Sequence, residues 1–467
     1  MVQEPDEPDE PDDPTATGAP EIEPHEPVPP SEPAPPSEPV PPSEAPSPDE
    51  SDTPPPRPVQ APRVDHRRFR RELTPTWLAA VAALHDGPCP RLHTHELRVA
   101  YLGVGHSVTA AVIAAVHPHA SVWAWDHRPG PVELISALGE AADLENLTVH
   151  QHPVLPGRLG APSAEGDSVE PVDLVVIDHV LDALNDDGRA HVLHAVEASL
   201  RPGGVVAVTY RTAIGWAEIA PIVRLLRYMV THHGGPLLDA TADAVRQLVQ
   251  LREAGAKYLN ARPVVRAWLD ELAASPAEQV VTDYLDQGLH PLSHAQLSDA
   301  MGAIGCHFVA SATLDDVSVS TEDDDPLPDE LLEVIAAASS VELRETYRDL
   351  AWRRTIRADV FRLGRHHSPA RGQSLQFAPT AGGDDPMGDG DDKAAVLRAW
   401  RSGRIHPVAT ASPTDTAVQA AARLSQVLAD QQPDSDVRLE VVAPLGTAVE
   451  VATAGSASTG GDATEGS

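Results

Sequence analysis

Apolar and polar positions follow two alternating periods through the first half of the chain, and this alternation predicts strands and helices in turn. Short apolar runs typical of buried strands lie near 97–102, 120–125, 147–150, 172–177 and 204–210. Helical spacing of apolar residues occurs near 107–117, 131–142 and 186–200. Strands that alternate with helices build a parallel sheet covered on both faces, so the pattern predicts an α/β fold. Right-handed crossovers would place the ends of the first, second and fourth strands along one rim.

A helical pattern of apolar residues replaces this alternation from about 216 to 303. Ser293 and Gln296 have the spacing of a capping box, in which each side chain bonds the other residue's backbone at the start of a helix. Strand-like sequences follow at 305–311 and 360–363. We therefore expect a mostly helical insertion between the fifth strand and a late pair of strands.

The two ends of the chain differ in composition from this central part. Residues 1–62 are rich in proline and acidic side chains and poor in large apolar ones, which predicts a disordered, extended tail. The tail fits a solvated spacer, and docking of a partner on its proline-rich repeats is the alternative. After about 365 the sequence is rich in Gly, Asp, Ser and Pro, with helical patterns at 392–401 and 416–430 and a strand-like one at 437–442.

These changes in pattern divide the chain into five predicted regions. They are a disordered acidic, proline-rich tail, 1–62; an α/β core, 63–215; a helical region, 216–315; a helix and late strand that complete the core, 316–365; and a low-complexity region with room for a small domain, 366–467. The sequence leaves open whether the last region folds on its own.

The charge balance and the cysteines argue against several classes of partner. The 467 residues include 34 basic and 70 acidic side chains, and the net charge of -36 repels the phosphate backbone of nucleic acids. No apolar run reaches the roughly 18 residues of a membrane span, and the acidic start differs from a secretory signal. Cys89 and Cys306 stand far apart, as free thiols of a reducing compartment do. We expect a soluble, cytoplasmic protein with no nucleic-acid or membrane partner.

The histidine pairs of the sequence do not predict a metal site. Neighbouring histidines project in different directions, and no carboxylate or cysteine recurs near them at ligand spacing. The residues concerned are His93, His95, His232, His233, His366 and His367.

The most informative chemistry lies in the first strand and the turn after it. An apolar run that begins at Leu97 enters a Gly-x-Gly turn at Gly103 and Gly105 and then a helical pattern. Glycine lets the backbone turn sharply and approach a ligand where a Cβ would collide. About twenty residues later the second strand ends in Asp126, where an acidic side chain accepts hydrogen bonds from ribose hydroxyls. The pattern predicts a nucleotide-binding βα junction.

Three further stretches accompany this junction. They are Val205–Trp216 with the helical Val223–Met229, Asp283–Leu285 with Pro291 and the sequence from Ala300 to Gly305 and Cys306, and Asp349–Arg357. Together with the glycine turn and Asp126, they resemble class I S-adenosylmethionine-dependent methyltransferases that carry a methyltransferase regulatory domain. Within that group the similarity is to protein lysine methyltransferases of rickettsial type. The stretch from 205 to 216 is similar to the family's fifth strand and its Ser-Tyr-Asn-x-x-Pro-Gly-Trp turn.

The resemblance implies a Rossmann-like class I methyltransferase sheet, a helical regulatory insertion and S-adenosyl-L-methionine as the cofactor. It assigns cofactor binding to six residues: Gly103, Gly105, Ser107, Asp126, His152 and Asp178. It makes Tyr210 the candidate that orients the acceptor amine and Trp216 a candidate wall of the acceptor pocket. The implied partner is a protein or small-molecule methyl acceptor.

The sequence departs from the family pattern at several positions, most of them in the cofactor site. Tyr101 stands at the end of the first strand, where the family has an acid, and Ser107 replaces a glycine. His152 lies where the family has an adenine-binding Asp, and when neutral it could accept one hydrogen bond. The sequence from Asp178 to Asp182 replaces an aromatic motif. Arg211 replaces an Asn and brings a cation to the place where a lysine would enter, and like charges repel.

Two functions of different classes fit these observations. The first is an S-adenosylmethionine-dependent methyltransferase that acts on a protein side chain, such as a lysine-type amine, or on another bulky acceptor. The alternative is a catalytically inactive protein of the same fold that serves as a binding or regulatory module. A nicotinamide-dependent oxidoreductase fits less well because its fingerprint needs a glycine where Val108 stands.

Overall fold

A seven-stranded mixed sheet forms the centre of the fold, with the strand order β3-β2-β1-β4-β5-β7-β6. Its strands are β1 (Arg98–Leu102), β2 (Ser121–Asp126), β3 (Leu147–Gln151), β4 (Val172–Asp178), β5 (Leu200–Arg211), β6 (Cys306–Ser311) and β7 (Ile356–Leu363). The first five pair in parallel, and β7 runs antiparallel to both β5 and β6. Every residue of β4 is buried because apolar clusters cover both faces of the sheet.

The structure is a computed structural model of the chain. It describes residues 69–85, 92, 96–105, 107–152, 159, 170–313, 328–364, 377–379, 399–400, 405–408, 413–431 and 437–452. The tail predicted at 1–62, most of the helical pattern at 392–401, Cys89 and the histidines at 93, 95, 366 and 367 lie outside these residues.

The α/β fold predicted from the periodicity is confirmed. Helices cover the parallel part of the sheet: α1 (Pro75–His85), α2 (Thr109–Val116), α3 (Pro129–Ala141) and α4 (Asp186–Ser199). The first four strands and the last three of these helices lie within about two residues of their predicted positions. β5 begins four residues before its predicted start, and its pairing with β4 shifts register between Val172 and Leu174.

The chain between β5 and β6 is largely helical and builds an apolar cluster of its own around Trp216 and Trp268. Its helices are α5 (Ala213–Trp216), α6 (Ala220–His232), α7 (Leu237–Glu253), α8 (Lys257–Ala261), α9 (Pro263–Ala274), α10 (Ala277–Val280) and α11 (His294–Ala303). A single π-helical turn, Val281–Leu285, follows α10. Ser293 and Gln296 form both hydrogen bonds of the predicted capping box at the start of α11. We refer to this segment, 213–303, as the insertion.

Two helices, α12 (Asp329–Ala336) and α13 (Val341–Trp352), separate β6 from β7. The described C-terminal elements are β8 (Phe377–Pro379), β9 (Ile405–Pro407), α14 (Asp415–Gln431), β10 (Val437–Val442) and β11 (Thr447–Ala452). Helix α14 packs on α2 and α3, and Arg423 Nε donates to the carbonyl of Ala142 at 2.9 Å. Trp400 packs edge-on against Trp77, with 5.0 Å between ring centroids. These C-terminal residues therefore belong to the same apolar cluster as α1 and α2.

Within the described ranges, no helix combines the length and apolar character needed to cross a bilayer. The described side chains also contain no group of three or more His, Cys, Asp or Glu placed to hold a metal ion. Cys306 is a buried free thiol, and burial raises its pKa to about 12.

Candidate functional site

The predicted glycine turn connects β1 to α2 at the rim where β1, β2 and β4 end. Gly103 and Gly105 both adopt the left-handed backbone region, with φ of 78° and 55°. A Cβ on Gly103 would overlap the carbonyl oxygen of Asp178 and a methyl group of Val180. The Gly103 N–H donates to the carbonyl of Trp125 at 2.9 Å. The turn is therefore held tightly between the ends of β2 and β4.

Asp126 lies at the end of β2 and faces this turn. Its side chain is buried, and Oδ2 accepts a hydrogen bond from the Gly105 N–H at 2.9 Å. Burial by itself would raise the pKa of Asp126, but the hydrogen bonds and the charge of Arg128 outweigh it, so the pKa lies below its ordinary value. The rim thus holds an ionised carboxylate beside a glycine turn, as the sequence predicts.

Arg128 occupies both oxygens of this carboxylate. Its Nε donates to Oδ1 and its Nη2 to Oδ2, each at 3.0 Å, and its backbone N–H also donates to Oδ1 at 3.0 Å. With the amide oriented so that its carbonyl faces the guanidinium, Gln287 of the insertion accepts from Nη1 and Nη2 at 2.5 and 3.0 Å. Arg128 therefore connects Asp126 to the insertion, a contact that the sequence did not predict.

Asp178, at the end of β4, has a different set of partners. Its Oδ2 accepts from the Tyr101 hydroxyl at 2.9 Å, and its Oδ1 accepts from Thr209 and lies 3.2 Å from Nε of Arg70. Burial and the charge of Asp178 raise the pKa of Tyr101, which stays neutral as a donor. Tyr101 stands at the end of β1, where the methyltransferases that the sequence resembles have an acid. The carboxylate at this part of the rim therefore comes from β4.

The remaining predicted cofactor residues lie at the same rim. Ser107 is buried, and its Oγ lies 2.8 Å from Oγ1 of Thr109 and accepts the Thr109 N–H at 3.2 Å at the start of α2. His152 donates its backbone N–H to the carbonyl of Asp126 at 3.1 Å, and its side chain is exposed. The structure thus brings all six predicted cofactor residues to the ends of β1 to β4. Their role in binding stays a prediction.

A second group of ionisable side chains lies between the ends of β4 and β5. His179 Nδ1 is 3.4 Å from Oδ2 of Asp182, and the same oxygen accepts from Nη1 and the backbone N–H of Arg211 at 2.7 and 3.2 Å. Burial would raise the pKa of Asp182, but the charge of Arg211 holds it well below its usual range. The Arg211 guanidinium lies over the Trp216 ring, 5.4 Å from its centroid. Neither His179 nor Asp182 was among the site residues predicted from the sequence.

The two predicted acceptor-site residues are both fully buried. Tyr210 donates its hydroxyl to Oδ2 of Asp359 at 2.6 Å and packs on the face of the sheet opposite to Thr209. Trp216 donates its indole N–H to the carbonyl of Thr355 at 3.0 Å and packs into the insertion. The structure does not bring Tyr210 and Asp178 together. Asp178 instead contacts Thr209, whose side chain lies on the other face of the sheet. The catalytic assignments of Tyr210 and Trp216 stay predictions.

The insertion is fixed to the rim beside this second group. The His290 N–H donates to the carbonyl of Asp182 at 2.7 Å, and Leu292 N–H donates to the carbonyl of Arg211 at 2.9 Å. Arg189 Nη2 donates to the carbonyl of His290 at 2.9 Å. The segment before α11 thus borders the ends of β4 and β5.

No family model matches the chain. Among curated proteins, it is similar to the uncharacterized protein sll1526 of Synechocystis, with 21% identity over 316 residues that cover 66% of this chain and 60% of that protein. Among solved structures, it resembles PKMT2 from Rickettsia typhi, with a TM-score of 0.51, 16% identity and coverage of 70% of this chain and 61% of that one. The complex of PKMT2 with AdoHcy has the same TM-score and identity, with coverage of 68% and 58%.

The chain therefore spans about 60% of the length of the relatives it matches. At this level of identity, the likeness establishes the fold and leaves the chemistry to the residues of the site. The chain has the Rossmann-like class I methyltransferase fold.

Proposed function

We propose that the protein is an S-adenosylmethionine-dependent methyltransferase whose acceptor is a protein side chain, such as a lysine-type amine, or another bulky molecule. The observation that carries the proposal is the ionised Asp126 carboxylate, which lies at the end of β2 and bonds the Gly105 N–H of the glycine turn. In sheets of this topology, ligands bind at the carboxyl ends of the strands beside such a turn. The likeness to PKMT2, a protein solved with AdoHcy, supports the same assignment.

The residues at the rim fit the donor and acceptor groups of this cofactor. Asp126 offers a carboxylate for the two ribose hydroxyls, and Gly103 and Gly105 leave the backbone free of side chains. When its ring is neutral, His152 offers one acceptor nitrogen for the adenine amino group. Arg128 competes for the same carboxylate and must leave Asp126 before the ribose hydroxyls can bind.

When bound, the cofactor would supply a methyl group activated on a sulfonium, so the protein need only align the acceptor and remove its proton. Asp126 would hold the cofactor through its ribose, and Asp178 would keep the β4 end fixed through Tyr101 and Arg70. Arg211 does not prevent entry of a cationic acceptor, because Asp182 neutralises its charge at 2.7 Å.

The second candidate function is a catalytically inactive module that uses the same fold for binding or regulation. The two-pronged contact of Arg128 with Asp126 favours it, because both ribose-binding oxygens already have charged partners. The affinity for S-adenosylmethionine and S-adenosylhomocysteine, measured by calorimetry, distinguishes the two candidates.

The test is a calorimetric titration of the full chain with S-adenosylmethionine and S-adenosylhomocysteine. Binding that is lost in Asp126→Ala and kept in Asp243→Ala would support the methyltransferase. Asp243 is a suitable control because it is an aspartate on the surface of α7, paired with His233 and Arg246. Absence of binding by the wild-type chain would overturn the proposal and favour the inactive module.

A further inference from the structure

We propose that His179 is the general base of the methyl transfer and that Asp182 is its positioning residue. The acceptor atom is then a nitrogen or oxygen that carries a proton. This inference rests on the proposed function and specifies the class of acceptor for the same site.

His179 lies at the rim in an uncommon backbone conformation. It directly follows Asp178, whose carbonyl borders Gly103, and its φ is 54°, in the left-handed region. Its N–H donates to both the carbonyl and Oγ1 of Thr209 at 3.1 Å, which holds this conformation in place. Histidine adopts this region more often than most side chains, but such residues still concentrate at functional sites.

The hydrogen bond with Asp182 determines which ring nitrogen of His179 is free. An ionised carboxylate can only accept hydrogen bonds, so its contact with Nδ1 at 3.4 Å places the ring proton on Nδ1. The lone pair then resides on Nε2, which has no hydrogen-bond partner among the described residues. The side chain is 15% exposed, so a solute can reach it. A neutral imidazole with an accessible, unbonded nitrogen is the form required of a base.

Asp182 is itself held in a fixed and charged state. It is fully buried, and Arg211 donates to its Oδ2 from both the backbone and the guanidinium. Its backbone carbonyl accepts from His290 of the insertion. Within the described part of the chain, Oδ1 has no hydrogen-bond partner, which is rare for a buried carboxylate oxygen. The charge of Asp182 can therefore stabilise the imidazolium that forms when His179 takes up a proton.

A second histidine in the same protein shows what a purely structural pair looks like. His294 bonds Asp359 through Nδ1 at 3.0 Å, but its Nε2 is bonded to Oγ of Ser298 at 3.1 Å and its side chain is fully buried. Both nitrogens of that ring are occupied, so it cannot accept a proton from a ligand. His179 differs in both respects.

In the proposed step, the acceptor loses a proton to His179 and gains the methyl group. The N–H or O–H bond of the acceptor breaks and its proton passes to Nε2 of His179. The acceptor atom uses its lone pair to bond the methyl carbon, the carbon–sulfur bond breaks, and the bonding pair remains on sulfur as a neutral thioether. His179 then releases the proton to solvent. An acceptor atom without a proton, such as a carboxylate oxygen, has no use for this base.

The test uses nuclear magnetic resonance of the full chain labelled with ¹⁵N in its histidines. The set of signals that is missing from the spectrum of His179→Gln identifies the signals of His179. Calorimetry on the same samples measures the affinity for S-adenosylhomocysteine. We expect the neutral ring of wild-type His179 to carry its proton on Nδ1, which leaves Nε2 free. We expect its signals to shift when S-adenosylhomocysteine saturates the protein, while those of His233, which pairs with Asp243 on the surface, stay unchanged.

Two variants test the positioning role of Asp182. Asp182→Asn should shift the ring proton of His179 from Nδ1 towards Nε2, whereas the matched Asp243→Asn should alter only the signals of His233.

His179→Gln should change the affinity for S-adenosylhomocysteine by less than about twofold, because the proposed base contacts the acceptor and not the cofactor.

Each failure has a separate meaning. Absence of calorimetric binding overturns the proposed function, and this inference with it. Binding accompanied by a His179 proton on Nε2 or by unshifted His179 signals overturns the inference alone. Both readings come from the wild-type chain, so they hold even where Asp182→Asn does not fold.

Discussion

Arg128 lies two residues after Asp126 and closes a two-pronged ion pair on it, with both N–O distances at 3.0 Å. The arginine side chain is 13% exposed and that of the aspartate 1%. The carboxylate best placed to bind a ribose is therefore already satisfied within the protein. Ligand binding at this position must include the release of Arg128.

We expect Arg128→Ala to increase the affinity for S-adenosylhomocysteine about tenfold, or ~1.4 kcal/mol, because hydrogen bonds to charged groups contribute about 1.5–3 kcal/mol each and the competing pair would be gone. Calorimetric titration of the full chain measures this. Arg246→Ala is the control, since Arg246 pairs with Asp243 on an exposed helix face. Weaker binding by Arg128→Ala would instead make Arg128 part of the ligand site.

The glycine turn can be tested with two glycines that share a positive φ and differ in surroundings. Gly103 has φ of 78° and no space for a Cβ, whereas Gly203 has φ of 75° and no atom within 4 Å of that position. Gly203→Ala should lower the free energy of unfolding by about 1 kcal/mol, the cost of a left-handed alanine. Gly103→Ala should lower it by at least about 2 kcal/mol more, because the backbone must also move. Urea denaturation measures both, and equal losses would contradict the described turn.

The buried Arg357 pairs with three carboxylates, one of which, Asp359, accepts the hydrogen bond of Tyr210. Arg357 lies 2.7 Å from Glu345, 2.6 Å from Asp349 and 2.9 Å from Asp359, and its side chain is fully buried. Arg357→Met should lower the free energy of unfolding by about 3–5 kcal/mol, because it removes the buried counter-charge that these three carboxylates share. Arg348→Met, which removes a partly exposed partner of Glu345, is the control and should cost about 1 kcal/mol or less.

The same cluster predicts how stability changes with pH. The Asp359 carboxyl is buried, but Arg357 and His294 hold its pKa well below the ordinary value. A carboxyl with a lowered folded-state pKa stabilises the fold fully above its unfolded pKa of about 3.9, and this contribution is lost as the pH falls below it. The difference in unfolding free energy between wild type and Asp359→Asn should therefore shrink from pH 6 to pH 3. A difference independent of pH would contradict an ionised Asp359.

The packing of the C-terminal residues on the sheet predicts a large effect far from the rim. Trp400 is fully buried against Trp77, so Trp400→Ala should lower the free energy of unfolding by about 3–5 kcal/mol. Trp352→Ala, at the half-buried end of α13, is the matched control and should cost less. Equal effects in thermal or urea denaturation would contradict the packing described for residues 399 and 400.

Periodicity was sufficient to predict the sheet because each strand and each covering helix carries its own local pattern. The pairing of charges at the rim was not predictable in the same way. Arg70 and Asp178 come from elements more than a hundred residues apart, and Arg70 sits in a basic run that has the composition of a solvated surface. The sequence places Tyr101 where an acid is expected, but only the structure shows that Asp178 supplies the carboxylate. Likewise, the buried partner of Tyr210 lies on β7, which no spacing rule connects with β5.

The contact between Arg423 and Ala142 joins residues separated by 281 positions. During synthesis of the chain, the apolar surfaces of α1 and α2 that Trp400 and α14 cover stay exposed until those residues have left the ribosome. Contacts of such long range slow folding, because the entropy of a very large loop is lost before the contact is gained. During that interval the nascent chain exposes apolar surface of the kind that promotes aggregation.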